Sequence, residues 1–153
     1  MGRATNGTPT GPGVRAEETL AHCRELLRGN GGRCTQARLQ VVRALWEAGG
    51  HLPARAIHER ILADGGSLEM STVYRALERL TAIGIVHSLT TAVAETTYGL
   101  IVEPHHHVAC RDCGTVVELP AARLAGALAD VGELTGFRID TALFTGRCPR
   151  CRN

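Results

Sequence analysis

Two pairs of cysteines carry the most specific chemistry in the chain. Cys110 and Cys113 form one C-x-x-C, Cys148 and Cys151 form the other, and thirty-four residues separate them. Four thiolates satisfy a tetrahedral Zn2+ at about 2.3 Å each, and the two-residue spacer lets both sulfurs of a pair turn toward one ion. Gly114 follows the first pair and Pro149 lies inside the second, as tight turns require. A closed set of this kind holds a fold together, whereas a catalytic zinc keeps a coordination position open. A redox dithiol would want a thioredoxin-like context, which neither pair has. Just upstream run His105, His106 and His107. On a strand, His105 and His107 share one face and His106 points the other way. Two imidazoles so spaced make half of a transition-metal site. The remaining ligands must come from elsewhere, with His51, Glu103 and Glu118 as candidates.

Other reactive side chains read more plainly. His22, His58 and His87 are isolated and read as surface residues. Cys23 falls on an apolar helix stripe and reads as core. Cys34 stands beside Arg33 near a helix start and reads as a semi-buried thiol. The chain has no phosphate-binding glycine loop, no nucleophile elbow and no H-E-x-x-H, so an enzyme is not expected.

The elements that must position these residues follow from periodicity. Residues 1–13, rich in Gly, Thr, Pro and Asn, read as a disordered tail. A first helix is expected over Val14–Arg28, with Leu20, Cys23, Leu26 and Leu27 near one face. Thr35 suits the N-cap of a second helix striped by Leu39, Val42, Leu45 and Trp46. A third helix runs from Pro53 to Asp64, with Pro in its first turn. Ser71 then caps a fourth, striped by Val73, Leu77 and Leu80. Two β-rich runs, Ile85–Leu89 and Thr96–Ile101, follow as a hairpin. Helices closed by a hairpin make a winged helix-turn-helix, and the helix at Ser71 becomes its recognition helix. Ser71, Thr72, Tyr74 and Arg75 lie at the end that such helices present to DNA.

The second half changes character. Val116–Leu119 reads as a strand and Ala121–Thr135 as an amphipathic helix. Phe137, Ile139, Thr141 and Leu143 alternate as on one face of a last strand. The class is therefore α+β: a winged-helix domain over 14–90, then a small α/β domain over 91–153 with the four-cysteine zinc site, the boundary falling near residues 89–93.

Composition sets the outer limits. Of 153 residues, 44% are hydrophobic, which is enough for a core and excludes wholesale disorder. One Trp, two Tyr and two Phe are too few for a stacking platform on single-stranded nucleic acid. No apolar run reaches membrane-spanning length, and Met1–Gly13 has no secretory core segment. The expected compartment is the reducing cytoplasm, where paired cysteines read as metal ligands before disulfides. All seventeen basic residues are Arg, and the net charge is +2. Residues 1–88 carry eleven Arg against eight acids and residues 89–153 six against seven, a basic front half compatible with DNA.

Several stretches together resemble the ferric uptake regulator family. They are Arg33-Cys34-Thr35-Gln36-Ala37-Arg38, His51-Leu52, Ser71-Thr72-Val73-Tyr74-Arg75-Ala76-Leu77, His105 through Gly114, and Gly146 through Cys151, in family order across residues 18–151. The resemblance implies a homodimer that binds a double-stranded DNA operator, with Zn2+ on the four cysteines. It implies a second, regulatory divalent ion, Fe2+, Mn2+, Ni2+ or Zn2+, held by His51, His105, His107 and Glu118. Many members carry a carboxylate or thiol near positions 99–101, where this chain has none, and Glu103 stands as a substitute. A further family site would use His106, but Ala125 occupies the place of an acid and Asp140 that of a histidine.

The function so implied is metal-dependent repression of metal-homeostasis or oxidative-stress genes. Arg38, Tyr74 and Arg75 are expected on the operator and Arg33 on phosphate. Two alternatives stay open: a peroxide-sensing iron-dependent repressor of the same family, and a constitutive zinc-ribbon DNA-binding protein without a sensor site.

Overall fold

The computed structural model describes residues 16–31 and 33–152. The expected disordered tail lies outside them. Helix α1 (Ala16–Gly29), α2 (Gln36–Ala48), α3 (Ala54–Ala63) and α4 (Met70–Ala82) come first, with the short strand β1 (Leu52–Pro53) between α2 and α3. Thr35 caps α2, its hydroxyl accepting the Arg38 N–H at 3.4 Å. Leu27, Leu45, Ile57, Leu77 and Leu80 are fully buried in a single core. Each contributes about 1.5–3 kcal/mol by leaving water.

Strands β2 (Val86–Thr91) and β3 (Ala94–Leu100) close the winged helix, in the sheet order β1-β3-β2. The two-residue β1, absent from the sequence expectation, pairs antiparallel with β3 through Leu52↔Tyr98 and Pro53↔Thr97. That register sets His51 across from Gly99. Two helix starts differ from expectation. Pro53 is the N-cap of α3 rather than a first-turn residue. Glu69, not Ser71, caps α4, its carbonyl taking the Thr72 and Val73 N–H groups, so Ser71 falls within the first turn.

The chain forms two compact units. The first contains the described residues up to Thr90 and Glu95–Val102; the second contains Thr91–Ala94 and the residues from Glu103 onward. The two units differ from a single cut at 90/91, since β3 from Glu95 onward stays with the first unit, where it pairs with β1 and β2.

In the second unit, β4 (His105–Cys110) is central, with β5 (Val116–Pro120) antiparallel on one side and β6 (Leu143–Gly146) parallel on the other. The expected helix over Ala121–Thr135 is broken. A 3-10 turn, Ala121–Arg123, precedes α5 (Ala125–Thr135), and the Leu124 N–H bonds to the Ala121 carbonyl. The last strand is shorter than its alternation suggested. Ala142 N–H is captured by His106 Nδ1 at 3.2 Å, the ladder to β4 begins at Leu143↔His107, and residues 137–142 remain outside it.

Candidate metal centres

The four cysteines converge within the second unit. Parallel pairing of β6 with β4 sets Gly146 beside Cys110, which delivers the second C-x-x-C to the first. All four Sγ atoms lie within 4.8 Å of one another, and Cys113 Sγ to Cys148 Sγ is 3.7 Å. Tetrahedral zinc–thiolate geometry requires about 3.8 Å between sulfurs, so the donor set fits Zn2+. Gly114 has φ +71°, and a Cβ there would meet Ala94 Cβ at 3.0 Å, so the first knuckle needs glycine.

Hydrogen bonds prepare the thiols for metal. The Cys148 N–H donates to Cys110 Sγ at 3.4 Å, and such backbone donors bring the Cys110 thiol down to about 6. The Thr115 hydroxyl, 3.2 Å from Cys113 Sγ, lowers that thiol too. Cys151 is pushed up to about 12 because its proton is shared with Cys148 and Cys113. Metal binding displaces such protons. Cys23 behaves as expected of a core thiol: it is 3% exposed, and burial raises it to about 11. Cys34 is half-buried.

The histidines form one pair in each unit. In the first, His51 Nε2 lies 2.6 Å from His87 Nε2, with the rings edge-to-face at 4.7 Å between centroids. β1 and β2 flank β3 on opposite sides, and the two rings meet where Gly99 carries no side chain. A Cβ on Gly99 would stand 2.7 Å from His51 Nε2. His87 is thus corrected from isolated surface residue to the partner of His51. The signal for it lay in combining the glycine with the strand order, which no local pattern reveals.

In the second unit, the His105 and His107 rings sit edge-to-face at 4.9 Å. His105 Nδ1 donates to the Glu103 carbonyl at 2.8 Å, which directs Nε2 outward in the manner of a metal ligand held by a backbone acceptor. Glu103 therefore enters through its backbone. Glu118, paired with His107 across the β4–β5 ladder, brings Oε1 to 4.0 Å from His105 Nε2. His106 points to the other sheet face, and Asp140 Oδ1 accepts from Arg138 Nε at 3.0 Å. Ala125 offers no donor, and His106 and Asp140 belong to no metal-holding group among the described residues. His58 Nε2 donates to the Leu68 carbonyl at 2.7 Å, a structural tie, and His22 is exposed.

The residues expected on DNA all lie in the first unit. Ser71, Tyr74 and Arg75 are exposed in the first turns of α4, and Thr72 is half-buried. Arg33 is exposed, and its carbonyl accepts from Arg38 Nη1, which anchors that guanidinium at the start of α2.

A sequence model of the ferric uptake regulator family matches residues 29–145. The chain belongs to that family. It is a metal-dependent, DNA-binding transcriptional repressor of the family. The chain is 27% identical over 140 residues to the ferric uptake regulation protein of Synechococcus elongatus, covering 88% of this chain and 95% of that one. It is 29% identical over 126 residues to the zinc uptake regulation protein of Mycobacterium tuberculosis, covering 80% and 97%. The solved structure of the Helicobacter pylori ferric uptake regulator, described as having three functional metal-binding sites, shares its fold. The TM-score is 0.75 at 23% identity, covering 92% of this chain and 95% of that one. Among the described residues no helix is long and apolar enough to cross a membrane.

Proposed function

We propose that this chain acts in the cytoplasm as a homodimer, catalyses no reaction, and represses transcription under control of a regulatory divalent metal distinct from the cysteine-bound zinc. The proposed ligands are His51, His105, His107 and Glu118, with His87 added to them and Glu103 orienting His105. The regulatory ion supplies a multidentate Lewis acid for these nitrogen and oxygen donors, and Fe2+, Mn2+, Ni2+ and Zn2+ all suit that set.

The observation that carries the reading is the His51–His87 contact, 2.6 Å between Nε2 atoms. Two imidazole nitrogens that close make at most one hydrogen bond in the absence of metal, while both lone pairs are available to an ion. This pair belongs to the unit that bears α4, and the His105–His107 pair belongs to the unit that bears the cysteines. If one ion draws on both pairs, it favours the arrangement of the units in which both pairs reach it. It then acts through its differential affinity for the arrangements, and about 2.7 kcal/mol of coupling raises DNA affinity a hundredfold.

On DNA, α4 is proposed to enter the major groove with Ser71, Thr72, Tyr74 and Arg75, while Arg33 and Arg38 contact the backbone. The test is fluorescence anisotropy on an operator selected from a random duplex pool, with zinc-loaded protein and each of the four ions added in turn. One or more ions should tighten binding about a hundredfold, and His51→Ala should remove that gain. Tight binding indifferent to all four ions would remove the regulatory role proposed for these ligands.

A further inference from the structure

The face of β4 opposite His105 and His107 borders a cavity of about 470 Å³ within the second unit. Its walls are apolar, including Ala125, Leu128, Ala129 and Ile139, and its polar lining side chains are His106, Arg138 and Asp140. His106 is 3% exposed. Its Nδ1 accepts the Ala142 N–H, so the neutral ring carries its proton on Nε2. No hydrogen bond found for His106 among the described residues uses that Nε2, and the ring lines the cavity. An N–H that faces the cavity is open to an acceptor placed there.

Two further features select the acceptor's charge. Ala125 is the first residue of α5, whose N-cap, Leu124, makes no side-chain cap and whose first turn holds no acid. Its leading N–H groups therefore present unopposed partial positive charge beside the cavity. Arg138 adds a guanidinium, and the one acid on the wall, Asp140, is already paired with it. A cation finds few donors here, whereas an anion finds several.

We propose that this cavity binds a small organic acid: a carboxylate with a compact apolar body of aromatic or branched-aliphatic type. The carboxylate would accept from His106 Nε2 and the α5 terminus, with Arg138 at the rim, and the body would lie against Ala125, Leu128, Ala129 and Ile139. The volume falls within the range of small-molecule sites, which combine apolar walls with a few convergent polar groups.

The test uses the full zinc-loaded chain with no second metal, so its outcome is independent of the regulatory-metal reading. Saturation-transfer NMR and calorimetry would compare benzoate and 3-methylbutanoate with acetate, which lacks the body, and benzyl alcohol, which lacks the charge. At least one of the two acids should bind saturably, one per chain, and at least tenfold more tightly than either control. Ala125→Glu, at an exposed position, should abolish this binding while leaving the cysteine-bound zinc and thermal melting unchanged. Ala125→Leu should weaken it tenfold or more by filling the cavity. Absence of saturable binding, equal binding of benzoate and benzyl alcohol, or binding that survives Ala125→Glu would each overturn the proposal.

Discussion

Cys110, Cys113, Cys148 and Cys151 all belong to the second unit, whereas His51 and His87 belong to the first and His105 and His107 to the second. A donor set confined to one unit is organised by that unit's own folding, and its metal stabilises that unit alone. On the proposed function, imidazoles distributed over two units hold a common ion only in arrangements that let both pairs reach it. Its affinity then includes the cost of reaching that arrangement, and anything else that favours the arrangement, such as DNA, tightens the metal in return. The cysteines are suited to permanence and the histidines to response.

The sharpest way to break this contrast is at the cysteines. Cys113→Ser should leave the protein without its tightly held zinc, and the second unit should lose cooperative melting by circular dichroism. Structural zinc contributes about 10–16 kcal/mol in small domains, so a variant that melts like the parent would show that the cluster is not structural. Next come the histidines. His51→Ala and His87→Ala should each cut the metal-induced gain in DNA affinity from about a hundredfold to a few-fold, with one zinc per chain retained by elemental analysis. A normal response in His87→Ala beside a lost one in His51→Ala would confine the ligand role to His51.

Arg75→Ala should weaken operator binding by about 1–3 kcal/mol whether or not regulatory metal is present. Arg33→Ala should weaken all sequences alike and reduce the salt slope of binding by about one unit. An unchanged affinity in Arg75→Ala would remove α4 from the DNA interface. The smallest effect is expected at Gly99. Gly99→Ala presses a methyl group onto the His51 ring and should cost about 1 kcal/mol of first-unit stability, measured by denaturant titration, with a weakened metal response. A silent substitution would mean that the ring yields freely.

What could be read in advance divides along similar lines. Helices α2 to α4 and both C-x-x-C knuckles were legible because their patterns span a few residues each and the chemistry is local. His105 and His107 were legible as a pair because strand alternation alone sets them on one face. His87 was not, since its meeting with His51 spans thirty-six positions and needs β1, a strand of two residues, to pair with β3. The alternation of Phe137, Ile139, Thr141 and Leu143 suggested one long strand. Instead Phe137 and Ile139 line the cavity, and His106 holds Ala142 at the point where the ladder begins. Side-chain alternation marks a face, and only the backbone partners decide whether it becomes a strand.

The parallel pairing of β6 with β4 also imposes an order on biosynthesis. Strand β4 is central in its sheet, yet the neighbour on one of its edges, β6, is made only after β5 and α5, and Cys148 and Cys151 follow directly behind it. At about 5–20 residues per second, the ribosome needs roughly 2–8 s to travel from Cys110 to Cys148. Through that interval α1 to α4, made first, fold without waiting for the cysteines, while Cys110 and Cys113 lack the second pair. Binding of one zinc by all four cysteines thus waits until β6 has been made and paired with β4, and until then β4 keeps an open edge, the feature that invites aggregation.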